Sequence, residues 1–131
     1  MTTPALRHPI VLVHGLFGYD EMRVAGQPVI EYFRGITGHL RAAGNRVFVP
    51  CLSPTRGILE RAEQLKEFVD RELPDQQFHL IAHSMGGLDS RHMITHLEMA
   101  VRVLSLTTVG TPHRGSPFAD LGVRRDRKSV V

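Results

Sequence analysis

Apolar residues along this chain recur with two different periods. Ile10-Val11-Leu12-Val13, after Pro9, is an unbroken aliphatic run, which predicts a strand buried on both faces. Val29, Phe33, Ile36 and Leu40 then fall at i, i+4, i+7 and i+11, the spacing of one helical face. Pro28 suits the first turn of that helix and Gly44 its stop. Arg46-Val47-Phe48-Val49, closed by Pro50, predicts a second strand. Ile58, Ala62, Leu65 and Val69 repeat the helical spacing, and Leu73-Pro74 ends that helix. A third strand is predicted over Phe78–Ala82, a third helix from Ser84 to about Glu98, and a fourth strand over Val101–Val109. Gly110 to Ser116 is rich in turn residues.

Strands alternating with helices of this length predict right-handed βαβ units. The fold class is α/β, a parallel sheet with helices on both faces. With 131 residues and neither repeats nor a linker, the chain holds one domain at most.

Composition narrows the picture in a few places. At 42% hydrophobic content the chain is globular in character, and no apolar run approaches the roughly 18 residues of a membrane span. Met1-Thr2-Thr3-Pro4 leads into strand-like sequence without an apolar signal core, so a cytoplasmic location is expected. The single cysteine, Cys51, has no internal disulfide partner, which is compatible with a reduced compartment. The net charge of +3 comes from Arg124, Arg125, Arg127 and Lys128 against Asp126, and the rest of the chain is formally neutral. A basic tail without a basic stripe or interleaved aromatics argues against nucleic acid as a partner.

The chemistry concentrates at Leu80-Ile81-Ala82-His83-Ser84-Met85-Gly86-Gly87-Leu88. An apolar strand meets a serine flanked by small residues, and a helix pattern follows. This is the layout of a nucleophile elbow, a strained strand-to-helix turn that lifts a serine hydroxyl above a sheet. Ala82, Gly86 and Gly87 supply small residues where backbones must cross, and a helix start behind Ser84 favours developing negative charge. Ser84 is therefore the candidate nucleophile. An oxyanion hole needs two N–H donors. Met85 follows the serine and offers one. His14-Gly15-Leu16, at the carboxyl end of the first strand, offers the other through Leu16.

Three ordered segments resemble bacterial triacylglycerol lipases and esterases of the α/β-hydrolase superfamily. They are Ile10–Gly18, with the sequence Ile-Val-Leu-Val-His-Gly-Leu-Phe-Gly; Ala82–Arg91 around Ser84; and Val109–Asp120 around Thr111-Pro112-His113-Arg114-Gly115. The resemblance spans about residues 9 to 121. It implies hydrolysis of carboxylic esters through a serine acyl-enzyme, with Ser84 as nucleophile and the Leu16 and Met85 N–H groups as oxyanion donors. It implies an ester or lipid substrate; no cofactor is expected and no metal ligand set within these residues, since the family's calcium-binding aspartates, where present, would lie in later sequence. Phe17 is a candidate for the acyl pocket, although core packing explains it equally well. Another serine α/β-hydrolase, an acyltransferase or a thioesterase, would carry the same residues.

In this superfamily the triad acid and histidine follow the serine on loops after later strands. Those strands lie beyond this sequence. Residues 1–121 are therefore expected to be the N-terminal part of the domain, a partial α/β-hydrolase fold lacking its C-terminal strands. Residues 122–131 are expected to be a non-native tail, and the chain alone is expected to be inactive. The fourth strand, left at an edge, would be long and apolar. The other candidates read as structural. His14 would brace the oxyanion loop, and His83 would point away from Ser84 across the turn. His113 belongs to a structural loop. His92 and His96 have metal-ligand spacing but no third ligand. Asp20 and Asp89 read as local hydrogen-bond or ion-pair formers, and Arg91 and Arg114 as residues that hold loops.

Overall fold

A computed structural model describes residues 2–15 and 32–115. Its elements are β1 (Ile10–Val13), α1 (Ile36–Ala42), β2 (Val47–Phe48), α2 (Ile58–Glu72), β3 (Phe78–His83), α3 (Gly86–His96) and β4 (Val103–Val109). The strands form one parallel sheet in the order β2-β1-β3-β4. β1 is central, and all four of its residues are buried. Its continuous aliphatic sequence follows from apolar cover on both sides.

The two covers are distinct cores. Val11 and Val13 point into one with Phe78, Leu80 and Ala82 of β3, Ala62, Leu65 and Val69 of α2, and Met93 of α3. Ile10 and Leu12 point to the other with Phe33 and Val47, against which Tyr32, Leu40, Val49 and Ile81 pack. Alternate strand residues thus serve opposite layers, as the two-residue strand period requires.

Three sequence expectations shift. Ile36 is 51% exposed rather than on the buried face of α1. Gly35, with φ 84°, interrupts the chain just before α1, so Phe33 and Ile36 do not share one helix. The buried positions are Phe33 and Thr37, with Leu40 half-buried. Val101 lies in a turn closed by bonds from the N–H groups of Arg102 and Val103 to the Met99 carbonyl, and β4 starts at Val103. The third helix spans Gly86–His96, and Glu98 beyond it has φ 59°, which cannot continue a helix. Val29 and Pro28 of the first predicted helix lie outside the described residues, as do residues 116–131.

The strand order fixes where a site can form. From β1 the chain moves one way to β2, then crosses back over β1 to β3 and onward to β4. The order therefore reverses between β1 and β3. In open parallel sheets a crevice opens at the carboxyl ends of the strands at such a switch point. His14-Gly15 leaves β1 there, and Ser84 leaves β3 there.

Candidate active site

Ser84 has φ 54°, the left-handed region that side chains other than glycine rarely occupy. Such a conformation costs about 1–3 kcal/mol and persists only where its surroundings enforce it. Three bonds do so here. The Ser84 N–H donates to the Val109 carbonyl at 2.8 Å, and its carbonyl accepts from the Gly87 N–H at 3.1 Å. That carbonyl also accepts from the Thr111 hydroxyl at 2.7 Å. The elbow is thus held by its own helix and by the loop after β4.

The glycines after the serine are there because their neighbours leave no room, backbone at Gly86 and a side chain at Gly87. A Cβ on Gly86 would sit 2.6 Å from the Val13 carbonyl oxygen and 2.8 Å from that of His14. A Cβ on Gly87 would run into the Thr111 side chain. The start of α3 therefore rests directly on the end of β1. From the other side, a Cβ on Gly15 would lie 2.9 Å from Ser84 Cβ and 3.2 Å from the Met85 nitrogen. The β1 loop and the elbow are in contact at the switch point.

Among the described residues, the Met85 N–H has no acceptor, as expected one residue before α3, where helical N–H groups lack intrahelical partners. Leu16 and Phe17, the other expected oxyanion donor and the acyl-pocket candidate, lie outside the described residues, as does Asp20.

Behind this surface lies a buried polar network. Arg61, on α2, is fully buried. Its Nε–H donates to Asp89 Oδ2 at 2.7 Å, one Nη to the Ser53 carbonyl at 2.9 Å and the other to the His14 carbonyl at 2.6 Å. One guanidinium thus joins α2, α3, the loop after β2 and the end of β1. Asp89 is also fully buried, and its Oδ1 has no partner among the described residues. Burial pushes its carboxyl up to about 6 against the opposing pull of Arg61.

His14 is buried at the end of β1. Its Nδ1 lies 2.7 Å from the Gly15 carbonyl, and its Nε2 accepts the Leu52 N–H at 2.9 Å. Burial lowers its pKa to about 4, with Arg61 adding in the same direction against the Gly15 bond. His14 thus ties the end of β1 to the loop after β2. On the opposite face, the Tyr32 hydroxyl takes the Gly15 N–H at 3.4 Å and bonds to His83 Nδ1. His83 is thus engaged with Tyr32 rather than with Ser84.

No histidine or carboxylate among the described residues bonds the Ser84 hydroxyl. His113 accepts from Arg91 at 2.9 Å and lies 3.1 Å from the Thr108 hydroxyl, which ties α3 to the loop after β4. Arg114 is exposed on that loop. The rings of His92 and His96 lie 4.7 Å apart, and no group of three or more potential metal ligands occurs among the described residues.

Arg61, Tyr32 and Thr111 are contributors that sequence reading misses. Only Arg61 left a signal, since it precedes Leu65 and Val69 at four-residue steps and so falls on the buried stripe of α2.

Residues 8–127 match the family model of the alpha/beta hydrolase fold. The chain is 41% identical over 125 residues to a triacylglycerol lipase of Pseudarthrobacter phenanthrenivorans, covering 91% of this chain and 37% of that protein. It is 41% identical over 125 residues to the triacylglycerol lipase of Burkholderia plantarii, covering 91% of this chain and 33% of that one. The chain thus spans about a third of the length of these relatives. Among solved structures, a metagenomic carboxyl esterase superposes with a TM-score of 0.72 at 19% identity, over 92% of this chain and 36% of that one. Mature Bacillus licheniformis lipase BlEst2 does so with a TM-score of 0.59 at 26% identity, over 94% and 48%.

Proposed function

The chain belongs to the alpha/beta hydrolase fold family, and on that premise we propose that it carries the nucleophile and oxyanion donors of a carboxylic ester hydrolase of the triacylglycerol lipase and esterase type. Ser84 is the nucleophile. Its Oγ attacks the ester carbonyl, the alcohol leaves, and water releases the acid from the serine ester. The Met85 N–H and the Leu16 N–H stabilise the tetrahedral oxyanion. The base that takes the Ser84 proton, and the acid that orients it, come from sequence beyond the elbow, in the order Ser, Asp or Glu, His.

The observation that carries this reading is the contact of Gly15 with Ser84 and Met85 at the strand-order reversal, where Ser84 holds a left-handed backbone. That contact brings the β1 loop beside the serine and beside an N–H that has no acceptor among the described residues. The relatives named triacylglycerol lipase favour glycerides as the substrate class.

A chimera tests the proposal. Residues 9–115 replace the matching segment of the Burkholderia plantarii triacylglycerol lipase, so that everything after the loop that follows β4 comes from that protein. The expected result is hydrolysis of glyceride and p-nitrophenyl esters that Ser84→Ala abolishes. A folded chimera that turns over acyl thioesters but not oxygen esters would assign a thioesterase instead. A folded chimera with no Ser84-dependent acyl transfer at all sinks the proposal.

A further inference from the structure

Two histidines at the far end of the elbow helix take no part in the site described above. His92 and His96 stand four residues apart on α3, so their side chains rise from one face. Their ring centres are 4.7 Å apart, with the planes tilted by 36°. His92 is half-buried and His96 exposed. Among the described residues, neither ring has a hydrogen-bond or ion-pair partner. By contrast His14 and His113 use both ring nitrogens on protein partners, and His39, His79 and His83 use one each.

The spacing of the two rings suits a shared metal ion. A metal-bound ring nitrogen sits about 2.0–2.1 Å from the ion, which puts the ring centre about 3.2 Å from it. Two such centres 4.7 Å apart subtend about 95° at the ion. Near-right angles belong to the tetragonal and square-planar shells of Cu²⁺ and Ni²⁺, ions that imidazole suits. A tetrahedral Zn²⁺, with its angle of about 109°, would set the ring centres about 5.2 Å apart. A structural zinc site also requires further protein ligands, and no group of three His, Cys, Asp or Glu occurs among the described residues. An exchangeable ion takes water in the remaining positions. His96 closes α3, and the partial negative charge at a helix carboxyl end favours a cation there.

We propose that His92 and His96 form an exchangeable site for a late divalent transition ion of the Ni²⁺ or Cu²⁺ kind, with two imidazole donors and water as the other ligands. The site lies at the opposite end of α3 from Ser84 and does not rest on the function proposed above. A bound ion bridges His92 to His96 and so closes the last turn of the elbow helix. The bridge needs that turn to be helical, so binding stabilises the folded chain.

A titration of the full 131-residue chain with Ni²⁺ tests this, with Cys51→Ser as background to remove an exposed competing thiol. Ni²⁺ is paramagnetic, so the ring-proton NMR signals of coordinating histidines broaden first. The expected result is that the His92 and His96 signals vanish together while those of the other histidines stay sharp, and that the melting temperature rises with added Ni²⁺. His92→Gln and His96→Gln are each expected to abolish both the selective broadening of the remaining histidine and the rise in melting temperature. Three outcomes overturn the proposal: no selective broadening in excess Ni²⁺, broadening centred on His8 and His79, and broadening of either histidine that survives removal of the other. A glutamine variant that melts early without metal leaves the titration of the unsubstituted pair to decide, because the joint loss of the two signals needs no variant.

Discussion

Arg61 and Asp89 form an ion pair at 2.7 Å with both side chains at 0% exposure. The pair sits between α2 and α3, directly behind the elbow helix. Taking two charges out of water costs several kcal/mol per ion, and attraction offsets this only when hydrogen bonds satisfy the remaining groups. Arg61 meets that condition through the Ser53 and His14 carbonyls, whereas Asp89 Oδ1 has no partner among the described residues. The pair therefore reads as a positioning device more than as a source of net stability.

Breaking this pair should be severe. Arg61→Ala strands a buried carboxylate and removes the donor from two backbone carbonyls, one of them buried, and it is expected to cost about 3–5 kcal/mol. Arg61→Lys keeps the charge but lacks the planar fork that serves three acceptors in different directions, so it should recover only part of the loss. Urea unfolding followed by circular dichroism reads both. A loss below about 1 kcal/mol for R61A would show that the network does not hold the layers together.

The same residue marks where sequence reading stops. β1, β3 and α2 were legible because their burial is one-sided or complete, and apolar periodicity records that directly. The order of elements and the parallel sheet followed from them. The elbow was legible because close approach restricts Gly86, against the β1 backbone, and Gly87, against Thr111, to glycine. Arg61 was hidden because a buried cation looks like a surface one until its acceptors are known. Two of those acceptors are backbone carbonyls, which leave no trace in residue identity. Ile36 and Val101 misled for a related reason, since the turn at Gly35 and the turn at Met99 override local apolar pattern. Tyr32 and Thr111 act through hydroxyls on backbone groups of distant segments, so no local spacing announces them.

Two glycines on helices should respond to alanine with opposite signs. A Cβ on Gly86 meets the carbonyl oxygens of Val13 and His14 at 2.6 and 2.8 Å, and backbone cannot swing aside. Gly86→Ala is expected to destabilise by about 1–3 kcal/mol or more, as overpacking does. Gly38 in α1 has nothing within 4 Å of its would-be Cβ, so Gly38→Ala should stabilise by about 0.5–1 kcal/mol through helix propensity. Thermal melts of the two variants beside the unmodified chain decide this. Equal shifts would mean that the helix start does not rest on β1.

Stability between pH 4 and 6.5 should contain two opposing slopes. His14 binds a proton near 6.5 when unfolded and only near 4 when folded. Its contribution is complete above 6.5 and is lost as pH falls toward 4, about 3 kcal/mol in all. Asp89 has the reverse sign, since its folded value of about 6 stands above the unfolded 3.8. Its contribution is complete below 3.8 and is lost as pH rises through 6, again about 3 kcal/mol. The two nearly cancel in the intact chain. Asp89→Asn should uncover stability that rises with pH across the window, and His14→Asn stability that falls. Urea midpoints at four pH values check the signs, and parallel slopes in the two variants would contradict both assignments.

The approach of Gly15 to Ser84 at the switch point sets the last expectation. Gly15 faces Ser84 Cβ, the His83 carbonyl oxygen and the Met85 nitrogen, so a methyl group there has no free direction. Its 2.9 Å separation from Ser84 Cβ must widen, and the β1 loop must back away from the elbow. Most of the β1 core lies below this point, so Gly15→Ala should reduce stability by only about 1–3 kcal/mol. Ester hydrolysis by the chimera should suffer more, because oxyanion donors act only within about 2.7–3.1 Å of the developing charge. The expected pattern is a kcat loss on the order of 10²-fold with KM nearly unchanged, the mark of an interaction made in the transition state. A rise in KM at constant kcat would instead assign Gly15 to substrate binding and separate the β1 loop from the chemistry at Ser84.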